Sequence, residues 1–316
     1  MTTVGMKIAI IGAGIAGLSC AERLSAAGYG VTVFDKGRGA GGRMATRRVP
    51  MPSGEVAFDH GAQYFTARDA RFLTTVKRWQ RSGVVAPWPS AGEDAWVGTP
   101  GMNAVVKALS RPLVVHWNSR VDALRHVGRS WFLDSVSDDP FDAVIVATPA
   151  EQAAPLLVAH DPAMAAIAQG CPSAPCWTAM VAFAERIAIT GDIIRDAGII
   201  GWAARNGSKP GRSSIEAWVI QATADWSRDH IEDDETRVVD ALLASLAAEA
   251  TDALPTPVIR IGHRWRYARV RAAHHGALWN EATRIGAVGD WLLAPRIESA
   301  WLSGRMLADR IISTDL

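Results

Sequence analysis

One unit of about thirty residues near the N-terminus constrains the fold of this chain more than any other feature. The apolar run Lys7–Ile11 precedes a glycine-rich turn, a helical pattern runs from Ile15 to about Ala27, and the apolar run Val31–Phe34 ends at Asp35. Strand, turn, helix and strand in this order predict the βαβ module of a doubly wound parallel sheet. We therefore expect an α/β protein with a Rossmann-like domain.

The same unit predicts a dinucleotide site. The turn reads Gly12-Ala13-Gly14-Ile15-Ala16-Gly17. In such a turn the first glycine allows the bend, the second lets the backbone approach a pyrophosphate, and the third allows close helix–strand packing. The helix start offers free N–H groups and partial positive charge to phosphates, and Asp35 can accept hydrogen bonds from an adenosine ribose. This fingerprint alone does not distinguish FAD from NAD.

Two further segments resemble the amine-oxidase-like flavoproteins and favour non-covalent FAD. After Asp35 comes an expected loop, Lys36 to Arg48, whose Gly-Gly-Arg resembles the stretch that follows the ribose acid in that family. The resemblance implies that FAD is contacted by Lys36, Arg38, Gly42, Arg43 and Met44, and the two arginines can offer forked donors to its diphosphate. Near the C-terminus, Gly289-Asp290 and Ile297 resemble the family's last FAD contact, where a helix N-terminus would stabilise the anionic reduced flavin.

The resemblance extends to the middle of the chain, where it places four more residues beside the cofactor. These are Asp59, His60, Val121 and Thr148. Thr148 follows an apolar run at the end of a predicted strand, and Val121 corresponds to a backbone contact with adenine. For His60 a structural role stays open beside a role near the flavin.

Four segments narrow the resemblance to the bacterial renalases: Asp59–Asp69, Trp96–Met102, Ala204–Arg212 and His263–Arg269. That family implies hydride transfer from isomers of NAD(P)H, 2- or 6-dihydroNAD(P), to FAD, with O2 reduced to H2O2. No catalytic side chain is expected, because a dihydropyridine that loses a hydride becomes an aromatic cation without a base. The implied substrate-binding residues are Gly61, Ala62, Gln63, Tyr64, Phe65, Trp96, Val97, Gly98, Thr99 and Arg296.

The order of predicted elements indicates two domains. We expect a discontinuous FAD-binding domain of residues 1–62, 100–152 and 276–316, and a mixed-sheet α+β substrate domain of residues 63–99 and 153–275. The second domain is predicted from strand-like and helical patterns, which are Thr178–Ala184, Gly198–Ala203, Glu216–Ala222, Glu235–Ala250 and Pro257–His263. Further helices are predicted over Asp69–Gln80, Met102–Leu109 and about Glu298 to Ile312.

Composition argues against several other classes of protein. The 33 basic and 32 acidic residues are scattered, which disfavours nucleic-acid binding and a polybasic membrane anchor. No apolar run approaches the roughly 18 residues of a membrane helix. The three cysteines, Cys20, Cys171 and Cys176, favour a reducing compartment, hence the cytoplasm. We expect no metal site and no obligate protein partner, and we expect the C-x4-C pair to be ordinary thiols because two prolines argue against a helix there.

Three alternative functions remain open on the sequence. An amine oxidase would need an aromatic pair in front of the flavin, which must draw on tryptophan because Tyr29, Tyr64 and Tyr267 are the three tyrosines. A flavin-binding protein without turnover and an NAD-dependent dehydrogenase are the others. The sequence holds one βαβ unit with the fingerprint, which disfavours a reductase with a separate NAD(P)H domain.

Overall fold

The computed structural model describes residues 5–52 and 54–314, which contain nineteen strands and eight α-helices. The strands are β1 (Lys7–Ile11), β2 (Gly30–Phe34), β3 (Thr46–Met51), β4 (Gly54–Asp59), β5 (Phe65–Thr66), β6 (Val85–Pro87), β7 (Ala95–Gly98), β8 (Val114–His116), β9 (Leu124–Val127), β10 (Ser130–Leu133), β11 (Ser137–Phe141), β12 (Ala143–Val146), β13 (Ser173–Phe183), β14 (Ile193–Ala197), β15 (Ile200–Arg205), β16 (Glu216–Ala222), β17 (Ile259–Val270), β18 (Leu278–Asn280) and β19 (Ile285–Ala287). The helices are α1 (Ile15–Ala26), α2 (Ala70–Arg81), α3 (Ala104–Ser110), α4 (Ala150–Leu157), α5 (Pro162–Gln169), α6 (Ala224–Asp229), α7 (Glu235–Ala247) and α8 (Ile297–Thr314).

The first sheet has the order β18-β19-β12-β1-β2-β8, and all its neighbouring strands are parallel except β18 and β19. Its central strands are buried on both faces, which explains their continuous apolar sequences. One face packs against α1, α2, α3 and α8, and the other against the β9–β11 meander, α4 and α5. The carboxyl ends of β1, β2 and β12 meet at one edge, where ligands of such sheets bind.

Helix α8 completes this sheet from the far end of the chain. A Cβ built on Gly304 would lie 2.1 Å from the carbonyl oxygen of Ala16 in α1, so the two helices can touch only through a glycine. Ser19 of α1 donates a hydrogen bond of 2.9 Å to the carbonyl of Trp301. The C-terminal helix is therefore seated directly on the fingerprint helix.

The second large sheet is antiparallel, with the order β14-β15-β16-β13-β17. Helix α7 packs its buried side against one face, and the β3–β4 hairpin packs Val56 and Phe58 against the other. A small sheet, β5-β7-β6, packs against α2 and shares an apolar cluster with Ala204 of the antiparallel sheet. The predicted fold class, a Rossmann-like α/β domain combined with a mixed α+β part, is confirmed.

Three elements differ from the sequence predictions for identifiable reasons. Strand β13 begins at Ser173, five residues before the predicted start. The strand can include Pro175 because this proline lies at a bulge, where β13 pairs on one side only. Strand β17 continues to Val270 instead of ending at His263, since it pairs with that early part of β13. We expected a loop from Lys36 to Arg48, but strand β3 already begins at Thr46 and pairs with β4 over its whole length.

Most tryptophans are packing residues, and Trp88, Trp131, Trp218 and Trp291 are fully buried.

Helix α2 starts where its sequence predicts, with the Asp69 carboxylate accepting from the backbone N–H groups of Arg71 and Phe72. No helix in the described ranges has the length and apolar character needed to cross a bilayer.

Candidate dinucleotide and substrate site

A cavity of about 590 Å³ lies between the parallel sheet and the antiparallel sheet. Its first wall comes from the ends of β1 and β12 and from the first turns of α1 and α8, where Gly14, Ala147 and Ile297 line it. Its second wall comes from the five strands β13 to β17. This size is within the range of roughly 300–1,000 Å³ that is usual for small-molecule sites.

The fingerprint turn forms the floor of the first wall. Gly12 has φ of +111°, and a Cβ there would lie 2.7 Å from the carbonyl oxygen of Ala147, so no other residue fits this turn. Gly14 is the N-cap of α1 with no side-chain cap, and a Cβ on it would meet no atom within 4 Å. The open space above Gly14 and the uncapped helix start provide a cradle for a phosphate group.

The Asp35 carboxylate links the fingerprint turn to the loop that follows β2. One oxygen accepts from the backbone N–H of Ala13 and the other from that of Gly37, both at 2.6 Å. Each carboxylate oxygen retains a second lone pair. Asp35 is therefore held in position and keeps acceptor capacity for a hydroxyl group such as that of a ribose.

Arg43 and Asp290 form a bidentate ion pair in the first wall. The two nitrogen–oxygen distances are both 2.7 Å, between residues 247 positions apart in the chain. Burial opposes the charge on Arg43, but the Asp290 carboxylate outweighs it and raises the pKa of the guanidinium. The Arg43 side chain keeps 34% of its surface exposed, so it can still offer donors to an anion in the cavity.

The residues of this wall fit FAD. Besides Gly14 and Arg43, the Oγ1 of Thr148 is buried without a hydrogen-bond partner among the described residues, and Thr148 lines the cavity. Buried hydroxyl groups in proteins normally have a partner. A dinucleotide with a diphosphate and a ribityl chain would bring anionic oxygens and hydroxyl groups to these donors and acceptors.

Hydrogen bonds with three other residues fix the position of Gly61 and Ala62 in the cavity wall. The Gly61 carbonyl accepts from Gln221 Nε2 at 2.7 Å and from Gln63 Nε2 at 3.0 Å. The backbone N–H of Ala62 donates to the Arg43 carbonyl at 2.8 Å, and a Cβ on Gly61 would lie 2.2 Å from that same oxygen. The loop that carries Arg43 therefore rests on the segment that we expect to face the substrate.

A sealed group of charges lies behind this segment, which we call the Asp59 cluster: Asp59, Gln63, Asn206, Lys209 and Arg212. The Asp59 carboxylate accepts from Arg212 Nη2 at 2.5 Å and lies 3.4 Å from Lys209 Nζ. All three charged side chains are at most 1% exposed. Burial lowers the pKa of Lys209 to about 8, against the attraction of Asp59. Burial also opposes ionisation of Asp59, but Lys209 and Arg212 prevail and hold its pKa below the usual value.

His60 is buried next to Asp59, and its ring packs against aromatic side chains. Its ring stacks on Trp265 with 5.3 Å between centroids and meets His263 edge-on at 4.8 Å. Burial, with a smaller contribution from His263, lowers the pKa of His60 to about 4. The imidazole is therefore neutral at pH 7 and supports Trp265, which lines the cavity and donates its Nε1–H to the His60 carbonyl at 2.8 Å.

The structure brings twelve of the predicted site residues to the cavity surface. They are Gly14, Ile15, Ala16, Arg43, Met44, Thr148, Gly289, Asp290 and Ile297 of the predicted cofactor residues, and Gly61, Ala62 and Arg296 of the predicted substrate residues. Ten predicted cofactor residues lie beside or behind the wall: Gly12, Ala13, Gly17, Asp35, Lys36, Arg38, Gly42, Asp59, His60 and Val121. Of these, Asp59 belongs to the sealed cluster, and Val121 packs in the core with Phe34.

The predicted substrate residues around β5 and β7 also lie outside the cavity lining: Gln63, Tyr64, Phe65, Trp96, Val97, Gly98 and Thr99. Phe65 and Trp96 are paired across these two strands, and Val97 is fully buried. Tyr64 packs against Trp202, with 5.4 Å between ring centroids. This segment therefore supports the wall from behind.

Sequence reasoning did not identify the second wall. Its members include Cys176, Asp196, Trp202, Gln221, Trp265 and Arg269. Gln221 could have been noticed, because it interrupts the apolar strand β16 and stands directly across from Trp202 of β15. The sequence could not show which face of these strands meets the other sheet. The cysteines are all free thiols, with Cys171 buried and Cys176 at the cavity.

Two families match the sequence. The NAD(P)-binding Rossmann-like domain matches residues 10–79, and the flavin containing amine oxidoreductases match residues 89–312, more than two thirds of the chain. A 4,4'-diapophytoene desaturase (4,4'-diaponeurosporene-forming) of Staphylococcus aureus (strain Newman) is 54% identical over 39 residues. That segment spans 12% of this chain and 8% of the desaturase, so the likeness concerns a short segment only.

Solved structures resemble the chain over nearly its whole length. A protein described as protoporphyrinogen oxidase from Exiguobacterium sp. 255-15 has a TM-score of 0.77 at 11% identity. Cyclohexylamine oxidase from Brevibacterium oxydans IH-35A has a TM-score of 0.74 at 14% identity. Both comparisons cover 98% of this chain and 99% of the other. At such identities the likeness is one of fold.

Proposed function

This chain belongs to the flavin-containing amine oxidoreductase family, and from that premise we propose that it is an FAD-dependent oxidase of isomeric dihydronicotinamide dinucleotides. The substrates would be 2- or 6-dihydroNAD(P), and the second substrate O2. When bound, FAD would accept a hydride from the dihydropyridine ring and return the electrons to O2 as H2O2.

The single observation that carries this proposal is the composition of the cavity surface. Over the described residues it contains no His, Lys, Glu or Tyr. Its two carboxylates are Asp290, which is paired with Arg43, and Asp196, which lies at the exposed rim. The thiol of the surface, Cys176, stays protonated at neutral pH because burial raises its pKa to about 11. A dihydropyridine needs no proton acceptor to lose a hydride, so a surface that offers no free base suits this reaction.

The chain's own residues would bind and orient the two dinucleotides. Gly14, Arg43 and the first turn of α1 would hold the cofactor diphosphate, while Asp35 would accept from its ribose. The first turn of α8 reaches the cavity at Ile297, where its positive end would favour a reduced cofactor with negative charge. Trp202 and Trp265 offer flat faces to a nicotinamide ring that enters between the sheets.

A second candidate is oxidation of a small amine. The same two tryptophans, which both line the cavity, could supply the aromatic pair that an amine oxidase needs. An amine must reach such a site uncharged, since the hydride leaves from the α-carbon and the nitrogen lone pair must form the C=N bond of the iminium product; an ammonium has no such pair.

Anaerobic mixing distinguishes the two candidates. Oxidised holoenzyme would be mixed with borohydride-generated NADH isomers, with ordinary NADH, and with cyclohexylamine, and the flavin absorbance near about 450 nm followed. We expect rapid bleaching by the isomers and little by the other two. Rapid bleaching by the amine alone would establish the second candidate, and colourless protein after gentle purification would exclude both.

A further inference from the structure

Two arginines at the cavity rim have no ion-pair partner within residues 5–52 and 54–314. Arg269 at the end of β17 and Arg296, immediately before α8, line the cavity and are both exposed. Neither has a carboxylate within 4.0 Å among the described residues, whereas Arg264 and Arg266 on the same strand both pair with Glu232. The third cationic side chain of the lining, Arg43, is already paired with Asp290.

The backbone brings both arginines to one end of the cavity. Ala273, which follows β17, donates its N–H to the carbonyl of Trp291 at 2.8 Å. Val270 packs with Trp291 and Leu292 in one apolar cluster. The end of β17 is thereby attached to residues 290–292, which lead into Arg296 and the first turn of α8. The carboxylate in that turn, Glu298, accepts from the backbone N–H groups of Arg68 and Asp69 and pairs with neither arginine.

The carboxylates of this region do not neutralise the two arginines. Asp196 lines the cavity on β14. This strand and β17, which carries Arg269, form the two opposite edges of the antiparallel sheet, four strand spacings or about 19 Å apart. Glu151 is engaged by Ser173, whose backbone N–H donates at 2.5 Å and whose hydroxyl donates at 3.2 Å. Two guanidinium groups with no carboxylate within 4.0 Å among the described residues create an anion-binding region.

We propose that Arg269 and Arg296 form an anion-binding site at the cavity rim that selects substrates carrying a phosphate group. The inference rests on the proposed function and adds the residues that bind the phosphate-bearing part of the substrate, away from its reacting ring. Forked guanidinium donors would bind phosphate oxygens while the ring enters between the sheets. Such contacts are the same in the ground state and the transition state, so they lower the dissociation constant and leave the rate of hydride transfer unchanged.

The test compares a substrate with phosphate and one without. Oxidised holoenzyme would be mixed anaerobically with a dihydroNAD isomer and, separately, with the matching phosphate-free dihydronicotinamide riboside. Arg269→Gln and Arg296→Gln should each raise the dissociation constant of the dinucleotide about tenfold or more, the loss of one charge-assisted contact. The limiting bleaching rate and the dissociation constant of the riboside should not change. Arg266→Gln is the matched control, since Arg266 is on the same strand but pairs with Glu232 outside the cavity.

Other results would overturn the inference or the function separately. Equal dissociation constants for the dinucleotide in Arg269→Gln and Arg266→Gln would overturn the anion site, as would an equal rise for dinucleotide and riboside. If neither compound bleaches the flavin, the proposed function is wrong. Calorimetric titration of the holoenzyme with inorganic pyrophosphate then decides the site: weaker binding to Arg269→Gln than to Arg266→Gln supports it, and no difference overturns it.

Discussion

Two buried aspartates, each paired with arginine, lie on opposite sides of one cavity wall. Asp290 meets Arg43 at the cavity surface, whereas Asp59 meets Arg212 and Lys209 in a cluster that solvent does not reach. A charge pair that faces a cavity can exchange part of its contacts with a ligand. A sealed cluster can only hold the protein together, so the two sites should respond differently to the same substitution.

Asp59→Asn should have the largest effect, and the effect should be on folding. It leaves Lys209 and Arg212 buried without a counter-charge, which costs about 3–5 kcal/mol. Urea unfolding of the holoenzyme measures this loss. Asp94→Asn is the matched control, because the Arg68–Asp94 pair is exposed and should contribute less than about 1 kcal/mol. Equal unfolding midpoints for the two variants would contradict the role of the Asp59 cluster.

The second-largest effect should come from lowering the pH, which protonates His60 next to the Asp59 cluster when the chain unfolds. The pKa of His60 is about 4 in the folded protein and 6.5 as the ordinary value, so between these values the unfolded chain binds the proton more readily. The free energy of unfolding should therefore fall as pH decreases from 6.5 to 4, by at most about 3 kcal/mol from this group. Unfolding at several pH values would measure the slope. His60→Gln should show a shallower slope, and identical slopes would refute the assignment.

Asp290→Asn should affect the cofactor more than the fold. Arg43 is one-third exposed, so water can solvate it when its partner loses charge. The guanidinium would be less firmly oriented, and we expect FAD to dissociate about tenfold more readily, or roughly 1.4 kcal/mol. Ultrafiltration followed by FAD fluorescence measures retention. A large loss of stability with unchanged FAD content would make Asp290 resemble Asp59 and remove the contrast between the two sites.

Asp35→Ala should give the smallest of these effects. The carboxylate accepts from the backbone N–H groups of Ala13 and Gly37, and its loss would remove both the proposed ribose acceptor and the link between two loops. We expect FAD affinity to fall by about 1 kcal/mol, the contribution of a typical hydrogen bond. Titration of the apoprotein with FAD would measure this change, and unchanged affinity would exclude a ribose contact.

The comparison of Asp35 with Asp59 also explains how much the sequence could predict. The hydrogen-bond partners of Asp35 lie within 22 residues of it, in a motif whose spacing fixes how strand, turn and helix are arranged. The Rossmann-like sheet is predictable for the same reason. Asp59 finds Lys209 and Arg212 about 150 positions away, across a sheet whose order no local pattern reveals. The strands of the antiparallel sheet were predicted in most cases, but the face that Trp202 and Gln221 present to the cavity was not. Residue type alone therefore did not separate an acid held by a local motif from one buried in a long-range cluster.

The seating of Gly304 against Ala16 has a consequence for how the protein is made. During synthesis, β1, α1 and β2 emerge first, but β19 and α8, which complete their sheet and cover α1, come from residues 285–314. Until then the apolar face of α1 that α8 will cover stays exposed. The first wall of the cavity is therefore complete only at the end of translation, and C-terminally truncated chains should misfold even though their N-terminal fingerprint is intact.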